Sequence, residues 1–176
     1  LRIEDKMKIA IIPARGGSKR IPRKNIKLFA GKPIIYWPLK VAKNSNLFDK
    51  IIVSTDDDEI AEIAKSFGAE IPFIRPDNLS DDHTITRDVI CHGVEQVEDY
   101  CGIKADKVCC IYPTAAFLKV KDLIQAYENL KNKNLLFSFG ASLYPHPIQR
   151  AFYENKNGGL SMFNYKNTKT RTQDFK

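Results

Sequence analysis

Ile9-Ala10-Ile11-Ile12-Pro13-Ala14-Arg15-Gly16-Gly17-Ser18-Lys19-Arg20-Ile21-Pro22-Arg23-Lys24-Asn25 is the stretch that decides the fold. Its first five residues are apolar, as in a buried strand, and the strand empties into a glycine-bearing loop. Between Arg15 and Lys27 stand six cations (Arg15, Lys19, Arg20, Arg23, Lys24 and Lys27) and no acid. Glycine lets the backbone approach an anion closely, so that successive N–H groups can point at it. Arginine and lysine then neutralise charge that N–H groups alone would not hold. The loop is no Walker A motif, because no Gly-Lys-Ser/Thr closes it and no helix starts directly after it. Pro22 stiffens the turn into Lys24 and Asn25, aiming Lys24 at terminal phosphates and the Asn25 amide at a base or ribose. A nucleoside triphosphate, or a similarly phosphate-rich ligand, is the expected guest.

Outward from this stretch, strands and helices alternate. Strands are expected at 8–13, 50–55, 71–74, 107–112 and 135–141. Helices are expected at 33–44, 57–67, 84–100 and 119–130, their apolar residues at helical spacing. Gly68 is placed to stop the second helix. Alternation of this kind argues for an α/β domain with a mostly parallel sheet and right-handed crossovers. Such sheets bind ligands at the carboxyl ends of their strands. The loops at 14–27, 56–58, 75–82 and 113–117 all follow strands, in keeping with that rule. After Tyr144 the character changes. Pro145 and Pro147 interrupt regular structure, and Asn155–Gly159 reads as a hairpin turn between two short strands. The organisation is therefore a nucleotide-binding α/β domain over 7–143 and a protruding arm over 144–176. Residues 1–6 precede Met7 and are expected outside the core.

At 176 residues and 43% hydrophobic content, the chain can bury one substantial core. The net charge of +7 is uneven: the loop carries its six cations, residues 144–176 hold six bases against two acids, and the remainder is mildly acidic. A nucleic-acid binder spreads its basic face over several elements, so no nucleic-acid partner is expected. No apolar run approaches the length of a membrane span and no export signal is visible, which excludes a membrane partner from the expectation. Cys91, Cys101, Cys109 and Cys110 contain no CxxC pair, which argues against zinc and for reduced, buried thiols in a cytoplasmic protein. His83, His92 and His146 lack partners at metal-ligand spacing. Asp56, Asp57 and Asp58, like Asp81 and Asp82, could face Mg²⁺, but their place before helices reads first as capping.

The quoted loop, from Ile12 to Asn25, resembles the signature of the sugar cytidylyltransferases that activate acidic nine-carbon sugars with CTP. Gly31-Lys32-Pro33-Ile34-Ile35, Val53-Ser54-Thr55-Asp56-Asp57, the Arg75-Pro76 segment running to Leu79-Ser80-Asp81-Asp82, and Tyr112-Pro113-Thr114-Ala115 occur in that family in this order. The resemblance implies a Rossmann-like nucleotidyltransferase fold, CTP as substrate, Mg²⁺ as cofactor and a homodimer. It implies that Arg15 and Lys24 do the catalytic work of stabilising the triphosphate, and that Ser18 and Asn25 bind triphosphate and cytidine. Arg75 and Thr86 match positions near cytidine.

Sialic acid enzymes of this family commonly carry Gln-Pro-Thr-Ser-Pro where this chain has Tyr112-Pro113-Thr114-Ala115-Ala116. That replacement, together with Pro147-Ile148-Gln149-Arg150-Ala151-Phe152 in the arm, resembles the pseudaminic acid branch. Tyr112, Gln149 and Arg171 are accordingly expected at the substrate. Family members continue past the segment matching Arg171-Thr172-Gln173-Asp174 and there supply an acidic pair for the catalytic metal. This chain stops at Lys176, so no metal ligand is assigned. The expected activity is transfer of CMP from CTP to pseudaminic acid or N-acetylneuraminic acid, with pyrophosphate released. A nucleotide-binding fragment without turnover remains the alternative.

Overall fold

The computed structural model describes residues 6–133 and 135–175. Residues 1–5 and Lys176 therefore lie outside the described residues, and so do the readings that fall on them. The chain divides into two compact units, one running to Ser138 and the other Phe139–Lys176.

The first unit is built on three parallel strands: β1 (Lys6–Pro13), β4 (Lys50–Ser54) and β5 (Lys104–Cys110), in the order β4-β1-β5. Ile9 sits opposite Lys50 and Val108, and Ile11 opposite Ile52 and Cys110. A two-stranded antiparallel ribbon, β2 (Leu28–Phe29) and β3 (Lys32–Pro33), lies between the basic loop and the first helix. The helices are α1 (Tyr36–Ser45), α2 (Asp58–Ser66), α3 (Thr86–Cys101) and α4 (Val120–Lys133). Pro38 falls in the first turn of α1, where a missing N–H costs nothing. Gly68 takes a φ of +88° just past the end of α2, a conformation that only glycine adopts without strain.

Period-two alternation divides β1 between two cores. Ala10 and Ile12 join Leu39 and Ala42 of α1, Ile60 and Ala64 of α2, and Leu123 of α4. Met7, Ile9 and Ile11 face the other way, with Ile52 and Val97 of α3. Both faces of the sheet are thus covered by helices, as an all-parallel sheet requires. Gly93 of α3 packs so near β1 that an added Cβ would stand 3.1 Å from Ile11 Cδ1.

Two of the expected strands are absent among the described residues. Around 71–74 the backbone makes only a bridge between Glu70 and Ile52, because Pro72 has no N–H with which to continue a ladder. Residues 135–141 have strand-forming side chains but no paired neighbour, and Leu136, Phe137 and Phe139 remain exposed. The expected burial of the thiols is also corrected. Cys91 and Cys110 are exposed, and Cys101 and Cys109 are half-buried. Cys91 and Cys101 belong to α3, and Cys109 and Cys110 end β5, where Cys110 takes the outward position.

The second unit holds the expected hairpin, β6 (Phe152–Glu154) paired with β7 (Leu160–Met162). Asn155 closes its turn: Oδ1 accepts from the N–H groups of Asn157 and Gly159 at 3.0 and 3.1 Å, and Nδ2 donates to Ser161 Oγ at 3.0 Å.

Candidate active site

At the carboxyl ends of β1 and β5 a cavity of ≈ 260 Å³ opens. Arg15, Lys24, Asn25, Arg75, Thr86 and Tyr112 all line it, together with Asp81 and Asp82. Six of the nine residues singled out from sequence therefore meet in one place. Ser18 lies on the same loop, its N–H donating to the Gly16 carbonyl at 2.9 Å, but does not line the cavity. Gln149 and Arg171 belong to the second unit, where Arg171 Nε donates to Asp174 at 2.9 Å. A larger hollow of ≈ 640 Å³, lined by Lys6, Met7 and Lys50 among others, opens where the strands begin. That is the end at which α/β sheets do not bind their ligands, and it gathers none of the residues above.

The basic loop is shaped by acids from two other loops. Gly16 N donates to Asp56 Oδ1 at 2.9 Å. An added Cβ on Gly16 would stand 2.6 Å from Asp57 Oδ2, so this glycine is needed for close approach. Asp57 caps α2 by accepting from Ile60 N at 2.9 Å, and it takes the fork of Arg23, whose Nη2 donates to Asp57 Oδ1 at 2.9 Å and also to Glu59. Arg23 reaches them from a left-handed backbone, φ 54°, which opens the 3-10 turn Lys24–Ile26. A left-handed conformation costs a side-chain-bearing residue about 1 kcal/mol, and here the fork offsets it. The Arg23 hydrogen bonds hold the Asp57 carboxyl below its usual range, while Asp57 raises the Arg23 guanidinium.

Arg15 is held in the same way. Its Nη1 donates to the Asp81 carbonyl at 2.5 Å, and its Nη2 to Asp82 Oδ1 at 2.5 Å. Lys19 pairs with the other oxygen of Asp82. Lys19 and Arg15 together bring the Asp82 carboxyl down to about 2. Asp81 closes its own turn, accepting from the N–H groups of His83 and Thr84 and from Thr84 Oγ1. The expected cap of α3 is thereby corrected. Asp81 caps the preceding turn, while α3 begins after Ile85 with no side-chain cap.

Three cavity residues are left with bonding capacity. Lys24 makes no ion pair among the described residues. Asn25 is 4% exposed, and its Nδ2 donates to the Arg15 carbonyl at 2.9 Å, which turns Oδ1 the other way and leaves it without a partner. Arg75 is equally buried. Its Nη2 donates to the Ser54 carbonyl at 3.1 Å and stands 3.9 Å from Asp56, and its Nε has no partner. Burial draws the Arg75 guanidinium below the ordinary arginine value, against the pull of Asp56. Unsatisfied buried atoms cost about 1–3 kcal/mol each and call for an explanation, of which a ligand is one. On the far wall Thr86 Oγ1 and Tyr112 Oη are 3.0 Å apart, tying the start of α3 to the loop after β5.

The carboxylates do not fit a resident Mg²⁺. Asp56 and Asp57 are committed to amides and guanidinium groups, Asp82 to two cations, and no group of three metal-ligating side chains gathers among the described residues.

A parallel sheet covered on both faces, a basic glycine loop after its central strand and a cavity at the strand ends define an α/β domain of the nucleotidyltransferase class. The cytidylyltransferase family matches residues 9–141, and the chain belongs to that family. It is 47% identical to the pseudaminic acid cytidylyltransferase of Campylobacter jejuni subsp. jejuni serotype O:2 over 166 residues, which are 94% of this chain and 71% of that protein. It is 40% identical to N-acylneuraminate cytidylyltransferase A of Danio rerio over 68% of this chain and 26% of that one. Among solved structures, a CMP:2-keto-3-deoxy-manno-octonic acid synthetase complexed with CTP superposes with a TM-score of 0.57 at 23% identity, over 75% of this chain and 50% of that one. This last likeness concerns the fold.

Proposed function

We propose that the chain transfers CMP from CTP to an acidic nine-carbon 2-keto sugar. The anomeric hydroxyl oxygen of the sugar forms a bond to the α-phosphorus, the bond from that phosphorus to the bridging oxygen breaks, and pyrophosphate leaves as the hydroxyl proton is lost. The observation that carries this reading is the meeting of Lys24, Asn25 and Arg75 in one cavity with bonding capacity left over. Asn25 Oδ1 is an acceptor, as the cytosine amino group requires, and Arg75 Nε is a donor, as the cytosine ring nitrogen and carbonyl require. Lys24 supplies positive charge for the triphosphate, and Arg15 adds its fork. Such transfer asks for positioning and charge neutralisation rather than a protein nucleophile. Magnesium belongs to this reading as the counter-ion that enters with the triphosphate.

Tyr112 at the cavity rim and the 47% identity with a pseudaminic acid enzyme favour pseudaminic acid over N-acetylneuraminic acid. The exposed Ile148, Phe152, Leu160 and Phe163 of the second unit support a homodimer in which this unit packs on a partner subunit. Use of CTP supports a cytoplasmic reaction, and no role with nucleic acid or membrane is proposed. The test is pyrophosphate release with CTP, magnesium and each sugar, beside titrations with CTP, ATP, GTP and UTP. Tighter binding of CTP than of the other three, with product formed from pseudaminic acid, is expected. Equal binding of all four nucleotides would reject the cytosine assignment. CTP binding without product from either sugar would leave a nucleotide-binding fragment.

A further inference from the structure

Arg15 enters the proposed reaction as a phosphate ligand, yet both ends of its fork are already filled, by the Asp81 carbonyl and the Asp82 carboxylate. Lys19 is held by the same carboxylate. Asp82 therefore presents to these two cations what a phosphate would present: a pair of anionic oxygens, one to each. Lys24, which lines the cavity with Arg15, has no such occupant among the described residues. We infer that Asp82 is a positioning residue that acts as an internal stand-in for phosphate, holding Arg15 and Lys19 until the triphosphate displaces it and taking them back when pyrophosphate leaves.

This inference rests on the proposed nucleotide site. A triphosphate in the cavity finds Lys24 without an ion-pair partner among the described residues, and its oxygens exchange with the Asp82 carboxylate on Arg15 and Lys19. The exchange keeps both cations pointed and partnered at every stage, which avoids the repulsion of bare cations crowded in one loop. It also weakens the grip on the leaving group, because each phosphate contact to these two side chains is gained against one to Asp82. Asp82 and Arg15 are about one-third exposed, and Lys19 almost fully so. Pairs so placed contribute modestly, and two of them set the expected effect at about threefold to tenfold in affinity.

Isothermal titration calorimetry with inorganic pyrophosphate, CTP and cytidine, on the unsubstituted chain and on Asp82→Asn, reads this directly. Asp82→Asn is expected to bind pyrophosphate and CTP about threefold to tenfold more tightly and cytidine unchanged. A residue that merely props up Arg15 would give the opposite sign, so unchanged or weaker pyrophosphate binding by Asp82→Asn overturns the inference. In a Lys19→Met background the gain from Asp82→Asn is expected to shrink, since one of the two released cations is gone; an undiminished gain also overturns it. Should Asp82→Asn melt near the assay temperature, Asp82→Ser carries the same expectation of sign. If the unsubstituted chain binds neither CTP nor pyrophosphate, the proposed function falls and this inference with it. If it binds both and the Asp82 variants bind no better, only this inference falls.

Discussion

Gly16→Ala probes how the basic loop is held, and its cost can be worked from the surroundings. The added Cβ would stand 2.6 Å from Asp57 Oδ2, 3.0 Å from Asp57 Cβ and 3.1 Å from Asp57 Cγ. Asp57 is not free to yield, because Oδ1 caps α2 through Ile60 N and the carboxylate takes the Arg23 fork. Turning Asp57 away forfeits the cap, about 1 kcal/mol, and part of a half-exposed ion pair, up to about 1 kcal/mol. Leaving Asp57 in place forces the loop outward at an overpacking cost of about 1–3 kcal/mol. Either route predicts a loss near 2 kcal/mol. Urea unfolding followed by circular dichroism should show this as a midpoint lower by about 1 M, for a slope of about 2 kcal/mol/M. Gly17→Ala is the control, since an added Cβ there meets no heavy atom within 4 Å; it should change stability by less than about 0.5 kcal/mol. In an Asp57→Ser background, where a capping hydroxyl remains but the second carboxylate oxygen is gone, Gly16→Ala should cost less. Equal stabilities of Gly16→Ala and Gly17→Ala would refute the reasoning.

Lys24→Ala should weaken CTP binding by about 1–3 kcal/mol, the range of a lost charge-assisted contact, while leaving the urea midpoint in place; an unchanged CTP affinity would remove Lys24 from the site. Because Arg23 depresses the Asp57 carboxyl, their pair stabilises fully above the unfolded carboxylate value, about 3.9, and is lost as pH falls through the lower folded one. Asp57→Asn should accordingly be less stable than the unsubstituted chain at pH 7, and the gap in urea midpoints should close in acid below about pH 4. Burial pushes the Cys109 thiol up to about 11, whereas Cys91 is exposed, so iodoacetamide at pH 8 should label Cys91 first and Cys109 only as the pH rises towards that value, as peptide mass mapping would show. Sedimentation at micromolar concentration should show a dimer that Leu160→Asp shifts to monomer; a compact monomer of the unsubstituted chain would count against the second unit as an interface.

Much of the fold was legible because the signals were local. Alternation along Met7–Ile12 separates two cores, and helical spacing at Ile60 and Ala64 or at Val89 and Val97 marks the buried faces. The strands expected at 71–74 and 135–141 do not form, because a strand is a property of pairs. Side chains that favour extension do not supply a neighbour, and Pro72 withholds a donor. At the site, the residue types of Arg15, Lys24, Asn25, Arg75, Thr86 and Tyr112 carried enough chemistry to be chosen, and the cavity joins them. The sequence was silent about their counterparts. Asp82 stands 67 positions from Arg15, and Asp57 stands 34 from Arg23. No spacing rule links such distant acids to the loop, and their place before helices suggested capping, a role that Asp57 fills and Asp82 does not. Arg23 is not legible as an anchor, since nothing local announces its left-handed backbone.

Pairing of Arg15, Lys19 and Arg23 with acids of neighbouring loops has a further consequence for how the loop meets a salty solution. A bare polycation gathers small anions and releases them when a ligand binds, which makes its affinity fall steeply with ionic strength. Here three of the six cations carry their counter-ions within the chain, so few mobile anions are released when a polyphosphate replaces them. Affinity should then decline only gently with added salt, and RNA, whose phosphates gain most from cations free to neutralise them, gains little from the three that are already paired.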